Sequence, residues 1–189
     1  MSGIILIYAG IDYSMTSPAM CLYNDIAEEF NFEKCNLYFM TQTKKYEITF
    51  KNVIGQYFEY SNEMQRYDII SSFFIDRILE TNEPIKVLIE DYSMGSKGRV
   101  FNIAENTGVL KYRFWNFQID FETIAPTVIK KFATGKGNSN KEKMQDAFEQ
   151  ENSIRFKQEL KMTEKQWNPS SDLIDAYYIC KYAYFHKNE

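Results

Sequence analysis

The sequence predicts an α/β fold, a mixed five-stranded sheet flanked by helices. Short runs rich in β-branched and aromatic residues occur at 4–11, 19–23, 35–41, 85–90 and 118–124, each the length of a strand. Between and after them lie segments whose apolar residues recur every three or four positions, the period of a helix packed on one face. The length, 189 residues, and a composition 44% hydrophobic and 25% charged suit one domain over 1–189, able to bury a core without disulfide staples.

Ile4 to Ile11 reads as a buried strand that runs straight into Asp12 within "GIDYS". Ala19 to Tyr23 and Cys35 to Thr41 follow, separated by the turn-prone Asn24-Asp25 and a polar stretch, so the first three strands should form an antiparallel meander. Residues 43–60 have no clear period and are expected to be an inserted hairpin or loop with a short strand from Tyr46 to Phe50. From Asn62 to Glu80 the spacing of Tyr67, Ile70, Phe74 and Ile78 marks one helical face. Ile85 to Glu90, "IKVLIE", is a second buried strand that ends in acid.

Val100, Ile103, Thr107, Leu110 and Phe114 then step along an amphipathic helix, and Gln118 to Ile124 forms the last strand. Pro126 suits the first turn of a helix that continues through Ala133. The glycine-containing loop "TGKGNSNK" leads into another helix, Lys141 to Glu151, and residues 153–168 are read as a helix followed by a loop. In "NPSSDLIDAYYIC", Ser170 or Ser171 is placed to cap a final helix, and the three-residue spacing of Asp172 and Asp175 sets both carboxylates on one face. Favourable interaction with the helix N-terminus is the plainer explanation of that pair taken alone.

Several function classes are excluded by composition. The single histidine, His186, lies in the final residues, so serine–histidine and cysteine–histidine catalysis and histidine-rich metal sites are not expected. Cys21, Cys35 and Cys180 are odd in number and without CxxC spacing, which reads as buried free thiols. No apolar run reaches the roughly 20 residues of a membrane span, and no signal peptide is evident, so a cytoplasmic protein is expected. The net charge is −4, yet residues 95–143 carry nine Lys or Arg against four acids, a local excess of +5 that leaves −9 elsewhere. An acidic protein with such asymmetry can still present a phosphate-binding surface.

An ionised carboxylate beside a core is costly unless it is paired, hydrogen-bonded or bound to metal. Here two core strands each end on one, and a late helix adds Asp-x-x-Asp. That order of strand Asp, strand Glu and helical acid pair is how a ribonuclease H-like sheet assembles a metal site. Oxygen ligands without His or Cys point to Mg²⁺ or Mn²⁺. Two such ions roughly 4 Å apart can activate a water and stabilise the leaving oxygen of a phosphodiester.

With "GIDYS", "LIED", "TGKGNSNKEKMQ" and "SDLIDAYYI" in this order over nearly the whole length, the chain resembles the RuvC family of Holliday junction resolvases, within the ribonuclease H/integrase-like superfamily. The resemblance implies two metal ions held by Asp12, Glu90, Asp172 and Asp175, with Asp12 bridging them. It places the family's basic loop residue on Lys141, near the scissile phosphate. Lys136, between Gly135 and Gly137, would meet DNA phosphate. Where the family carries an aromatic wedge this chain departs from it with "DYSMGSKGR": Tyr92 or Met94 fills that role, or neither does, and an aromatic there would stack on an unpaired junction base while Lys97 and Arg99 hold its backbone. The segment 43–60 and the aromatic-rich end look more like the family's bacteriophage members, for which the host cytoplasm would be the setting.

The implied activity is metal-dependent, structure-specific cleavage of four-way and other branched DNA. Two opposed nicks require a homodimer, with residues 100–117 as its candidate interface. A ribonuclease H-like enzyme acting on RNA–DNA hybrids or flaps would share the acids but not the junction geometry. A non-catalytic branched-DNA binder gains nothing from four repelling carboxylates. An actin-like phosphotransferase, suggested by "AGIDYSMTSPA", needs two large halves where this chain supplies about one.

Overall fold

The computed structural model describes residues 6–24, 29–91 and 100–186. Strands β1 (Ile7–Asp12), β2 (Ala19–Asn24) and β3 (Cys35–Thr41) form the expected antiparallel meander. Strand β6 (Ile85–Glu90) joins the other side of β1 in parallel, and β7 (Phe121–Ile124) pairs in parallel with β6. These are the five strands read from the sequence.

The sheet has seven strands rather than five. Residues 43–60 contribute β4 (Ile48–Phe50) and β5 (Val53–Tyr57), a hairpin turning through Lys51 (φ 48°) and Asn52. Strand β5 then pairs in parallel with β3, giving the order β4-β5-β3-β2-β1-β6-β7. The inserted hairpin is as expected, and its short strand Tyr46 to Phe50 is β4, trimmed to Ile48–Phe50; β5 hides from periodicity because it has glycine at an inward position. That glycine, Gly55, is required: a methyl group there would overlap Tyr46 O and the Phe39 ring.

Alternation along the strands divides the core between the two faces of the sheet. Ile7, Ala9, Ile11, Val87 and Ile89 pack against α1 (Glu63–Leu79) and α2 (Val100–Asn116). Tyr8, Cys21, Tyr23, Leu37, Phe39 and Leu88 face α3 (Pro126–Thr134), α4 (Lys141–Asn152), the short α5 (Phe156–Glu159) and α6 (Ser170–Phe185). Helix α6 is buried around most of its circumference, which is why its sequence shows no polar face. It lies directly on β1, and Gly10 permits the approach: a Cβ at that position would collide with the backbone of Ala176 and Cys180.

The helix ends follow local chemistry. Asn62 caps α1 by accepting from Gln65 N at 3.0 Å, and Asn140 caps α4 by accepting from Lys143 N at 3.1 Å. Helix α3 opens on Pro126 and closes on Gly135 at φ 78°. Helix α6 departs from expectation. Its N-cap is Pro169, without a side-chain cap bond, so neither Ser170 nor Ser171 caps it. The three cysteines are buried and free. Among the described residues no helix is long and apolar enough to cross a membrane.

Candidate functional site

Asp12 and Glu90 are the last residues of two adjacent parallel strands, and the register that pairs Ile11 with Ile89 carries them side by side. Asp12 shares its strand face with Tyr8 and Gly10, and Glu90 shares its face with Leu88. Both carboxylates therefore point to the side of the sheet that α6 covers. The first turns of α6 bring Asp172 and Asp175 to the same place. Asp12, Glu90 and Asp175 line a cleft of about 300 Å³ together with Tyr13, Thr107 and Lys130. Two larger clefts, of about 650 and 670 Å³, lie beside the Lys51 turn and share no residue with it. Concentrated buried charge, not volume, singles out the smaller one.

Asp172 stands behind this cleft and is held from two directions. Ser17 Oγ, in the connection between β1 and β2, donates to Asp172 Oδ2, and Asn168 Nδ2 donates to the same oxygen at 2.6 Å. Asn168 Nδ2 also reaches Ser17 Oγ at 3.1 Å. On its other side, Asn168 Oδ1 accepts from Lys141 Nζ at 3.3 Å, and Lys141 Nζ donates to Ser171 Oγ at 3.1 Å. Ser171 thus serves the lysine rather than capping α6.

Burial raises the proton affinity of all four acids, and repulsion from neighbouring acids adds to it for Asp12, Glu90 and Asp175. Burial holds Asp12 well above the usual carboxyl range, and Asp172, Glu90 and Asp175 push it further. Asp175 is raised by burial and then by Glu90 and Asp172, against the pull of Lys130 and Lys141. Glu90 is pushed up by burial to about 7, with Lys130 the largest opposing influence. Asp172 is pushed up by burial to about 6, moderated first by the Ser17 bond and then by Lys141. The cluster thus keeps protons near neutrality that a divalent cation would displace. The donor set, oxygen only, is of the kind hard cations take. As placed, no three Asp, Glu, His or Cys side chains among the described residues enclose an ion-sized point. Asp172 Oδ2 is turned to Ser17 and Asn168.

No family model and no curated protein sequence matches the chain. Solved structures do. RuvC from Thermus thermophilus aligns at 15% identity over 96% of this chain and 95% of its own, with a TM-score of 0.60. T. thermophilus RuvC in complex with Holliday junction substrate aligns at 12% identity over 96% and 94%, with a TM-score of 0.61. The chain has the RuvC fold.

Within this RuvC fold, Asp12, Glu90 and Asp175 are brought to one cleft, with Asp172 in contact behind it. Lys141, the first residue of α4, is near enough to influence Glu90, Asp172 and Asp175. Lys136 is exposed on the loop between α3 and α4, outside the cleft lining. That loop is a tied turn, with Thr134 Oγ1 and Ser139 Oγ 2.6 Å apart and Gly137 packed where a Cβ would press on Thr127 O. Tyr92, Met94, Lys97 and Arg99 lie outside the described residues. Lys130, Ser17 and Asn168 were not singled out by sequence reasoning. For Lys130 a signal existed: a helix opening at Pro126 directly after β7 puts its second turn beside the end of β6.

Proposed function

We propose that the chain is a divalent-metal-dependent endonuclease that cuts four-way and other branched DNA by hydrolysing phosphodiesters in opposed strands. The observation that supports this most is the convergence of Asp12, Glu90 and Asp175 in one cleft with Lys130, backed by Asp172. Buried like charges placed together serve no stability purpose. The shared fold with a RuvC whose structure holds a Holliday junction adds the substrate class.

In this reading Asp12, Glu90, Asp172 and Asp175 would hold Mg²⁺ or Mn²⁺, two ions per site. Bound metal supplies an activated water and charge stabilisation at the leaving oxygen. The protein's own part is to place the phosphate. Lys130 at the cleft wall and Lys141 at the head of α4 offset the charge that develops on it. Lys136 meets the flanking backbone, while Tyr92 stacks on an exposed base and Lys97 and Arg99 grip its strand.

Opposed nicks call for a homodimer. Helix α2 offers its surface: Phe101, Tyr112 and Trp115 are 78%, 62% and 72% exposed. At 100° per residue they share one stripe with Gly108, above which a Cβ would meet nothing within 4 Å. An exposed aromatic stripe opposite a helix's buried face marks an interface.

Cleavage of an immobile four-way junction with Mg²⁺ or Mn²⁺ tests the reading, comparing wild type with Asp12→Asn on linear duplex, flap and RNA–DNA hybrid. Paired symmetric nicks in the junction, lost in the variant, are expected. Cutting of hybrid or flap alone would retain the site chemistry and overturn the junction assignment. Binding without cleavage under either ion would overturn the enzyme.

A further inference from the structure

We propose that Asn168 is a positioning residue that sets Lys141 and Asp172 as one unit. This rests on the functional reading above and deepens it. The carboxamide is bonded on both sides in only one orientation. Its Oδ1 accepts from the Lys141 ammonium at 3.3 Å, and its Nδ2 donates to Asp172 Oδ2 at 2.6 Å and to Ser17 Oγ at 3.1 Å. Reversing the amide would face its NH₂ to the ammonium and its oxygen to the carboxylate, so the two neighbours together fix it.

The three groups come from parts of the chain that share no local geometry. Lys141 opens α4, Asn168 lies in the loop before α6, and Ser17 follows β1. Asp172 is 5% exposed and Ser17 is 1% exposed, so a lost donor at Asp172 Oδ2 is not replaced freely by solvent. Asn168 thereby commits Asp172 Oδ2, while the Asp172 carboxyl stays within hydrogen-bond reach of Asp12. Partners behind a liganding carboxylate govern its orientation, and their removal commonly costs 10–100-fold in metal affinity or activity.

Three variants separate this role from plain structural support. Asn168→Ala removes both bonds. Asn168→Asp keeps size and the acceptor for Lys141 but turns a donor toward Asp172 into a second carboxylate. Ser17→Ala removes only the other donor. Mn²⁺ affinity is read from the rise in melting temperature with added Mn²⁺, and junction cleavage supplies kcat and KM. Asn168→Ala should weaken Mn²⁺ by about 10–100-fold and lower kcat by a similar factor, with KM for the junction little changed. Asn168→Asp should be weaker still in kcat despite its closer shape.

Lys141→Ala and Asn168→Ala should also fail to add: the double variant should cut no more than about threefold more slowly than the worse single one. Wild-type Mn²⁺ affinity and kcat in Asn168→Ala, or multiplying effects in the double variant, would overturn the coupling while leaving the nuclease reading intact. If Asn168→Ala does not fold, Asn168→Asp and Ser17→Ala carry the same comparison. A wild-type protein that neither takes Mn²⁺ nor cuts branched DNA would overturn the functional reading and this one with it.

Discussion

Asp12 is the residue at which stability and the proposed chemistry oppose each other. The residue is 6% exposed and three other acids act on its carboxyl, so replacing it with a neutral isostere should relieve repulsion. Asp12→Asn is expected to lower junction cleavage by at least 10²–10³-fold. It should also raise the melting temperature of the metal-free protein by roughly 3–8 °C, as ~1–2 kcal/mol would in a chain of this size. Calorimetry in chelator checks the second outcome. The pH dependence follows with a definite sign. Glu90 and Asp172 bind protons more tightly folded than unfolded, with values of about 7 and about 6. The stability they confer is complete below the ordinary carboxyl range near 4 and is lost as pH rises through 6 and 7. Denaturant unfolding of metal-free protein should therefore show stability falling by a few kcal/mol between pH 5 and pH 8. Saturating Mn²⁺ should flatten that slope. A slope of opposite sign would mean that the acids are not buried together. These acids were legible because each interrupts an apolar pattern. Ser17 and Asn168 were not, since a serine in a turn and an asparagine before proline are ordinary where they stand.

Among the elements, the contact between β1 and α6 carries the most. Gly10 lies under the backbone of Ala176 and Cys180, one turn beyond the acids of α6. Gly10→Ala must displace the helix and should cost about 3 kcal/mol or more, read by urea denaturation. Because Asp172 and Asp175 ride on that helix, the fraction that still folds should bind Mn²⁺ more weakly, whereas Gly108→Ala, in open space, should not. The strands and helices with clean periods were legible from the sequence: β1, β6, α1 and α2 follow the spacing of their apolar residues. Strand β5 was not, because its inward positions are Val53 and Gly55 and its pairing with β3 is set at long range. The start of α6 was also hidden. Serines before a helix normally cap it, but here Lys141, distant in sequence, claims Ser171.

For the whole molecule, the proposed homodimer would meet on the stripe of Phe101, Gly108, Tyr112 and Trp115. Trp115→Glu should place charge at the centre of the proposed interface, cost at least ~2 kcal/mol of association and give the mass of one chain in sedimentation. On a junction such a monomer should leave unpaired single nicks, while Lys136→Glu, away from the stripe, should remain dimeric. The order of elements has a further bearing on the protein during its synthesis. Asp12 and Glu90 emerge from the ribosome with the sheet, but Asp172 and Asp175 belong to α6, which follows all seven strands. A chain interrupted anywhere before α6 holds at most two of the four acids and lacks the helix that covers one face of its core. On the proposed function, nascent and prematurely terminated chains would be disarmed, because the element that completes the acid cluster is also the element that covers one face of the core.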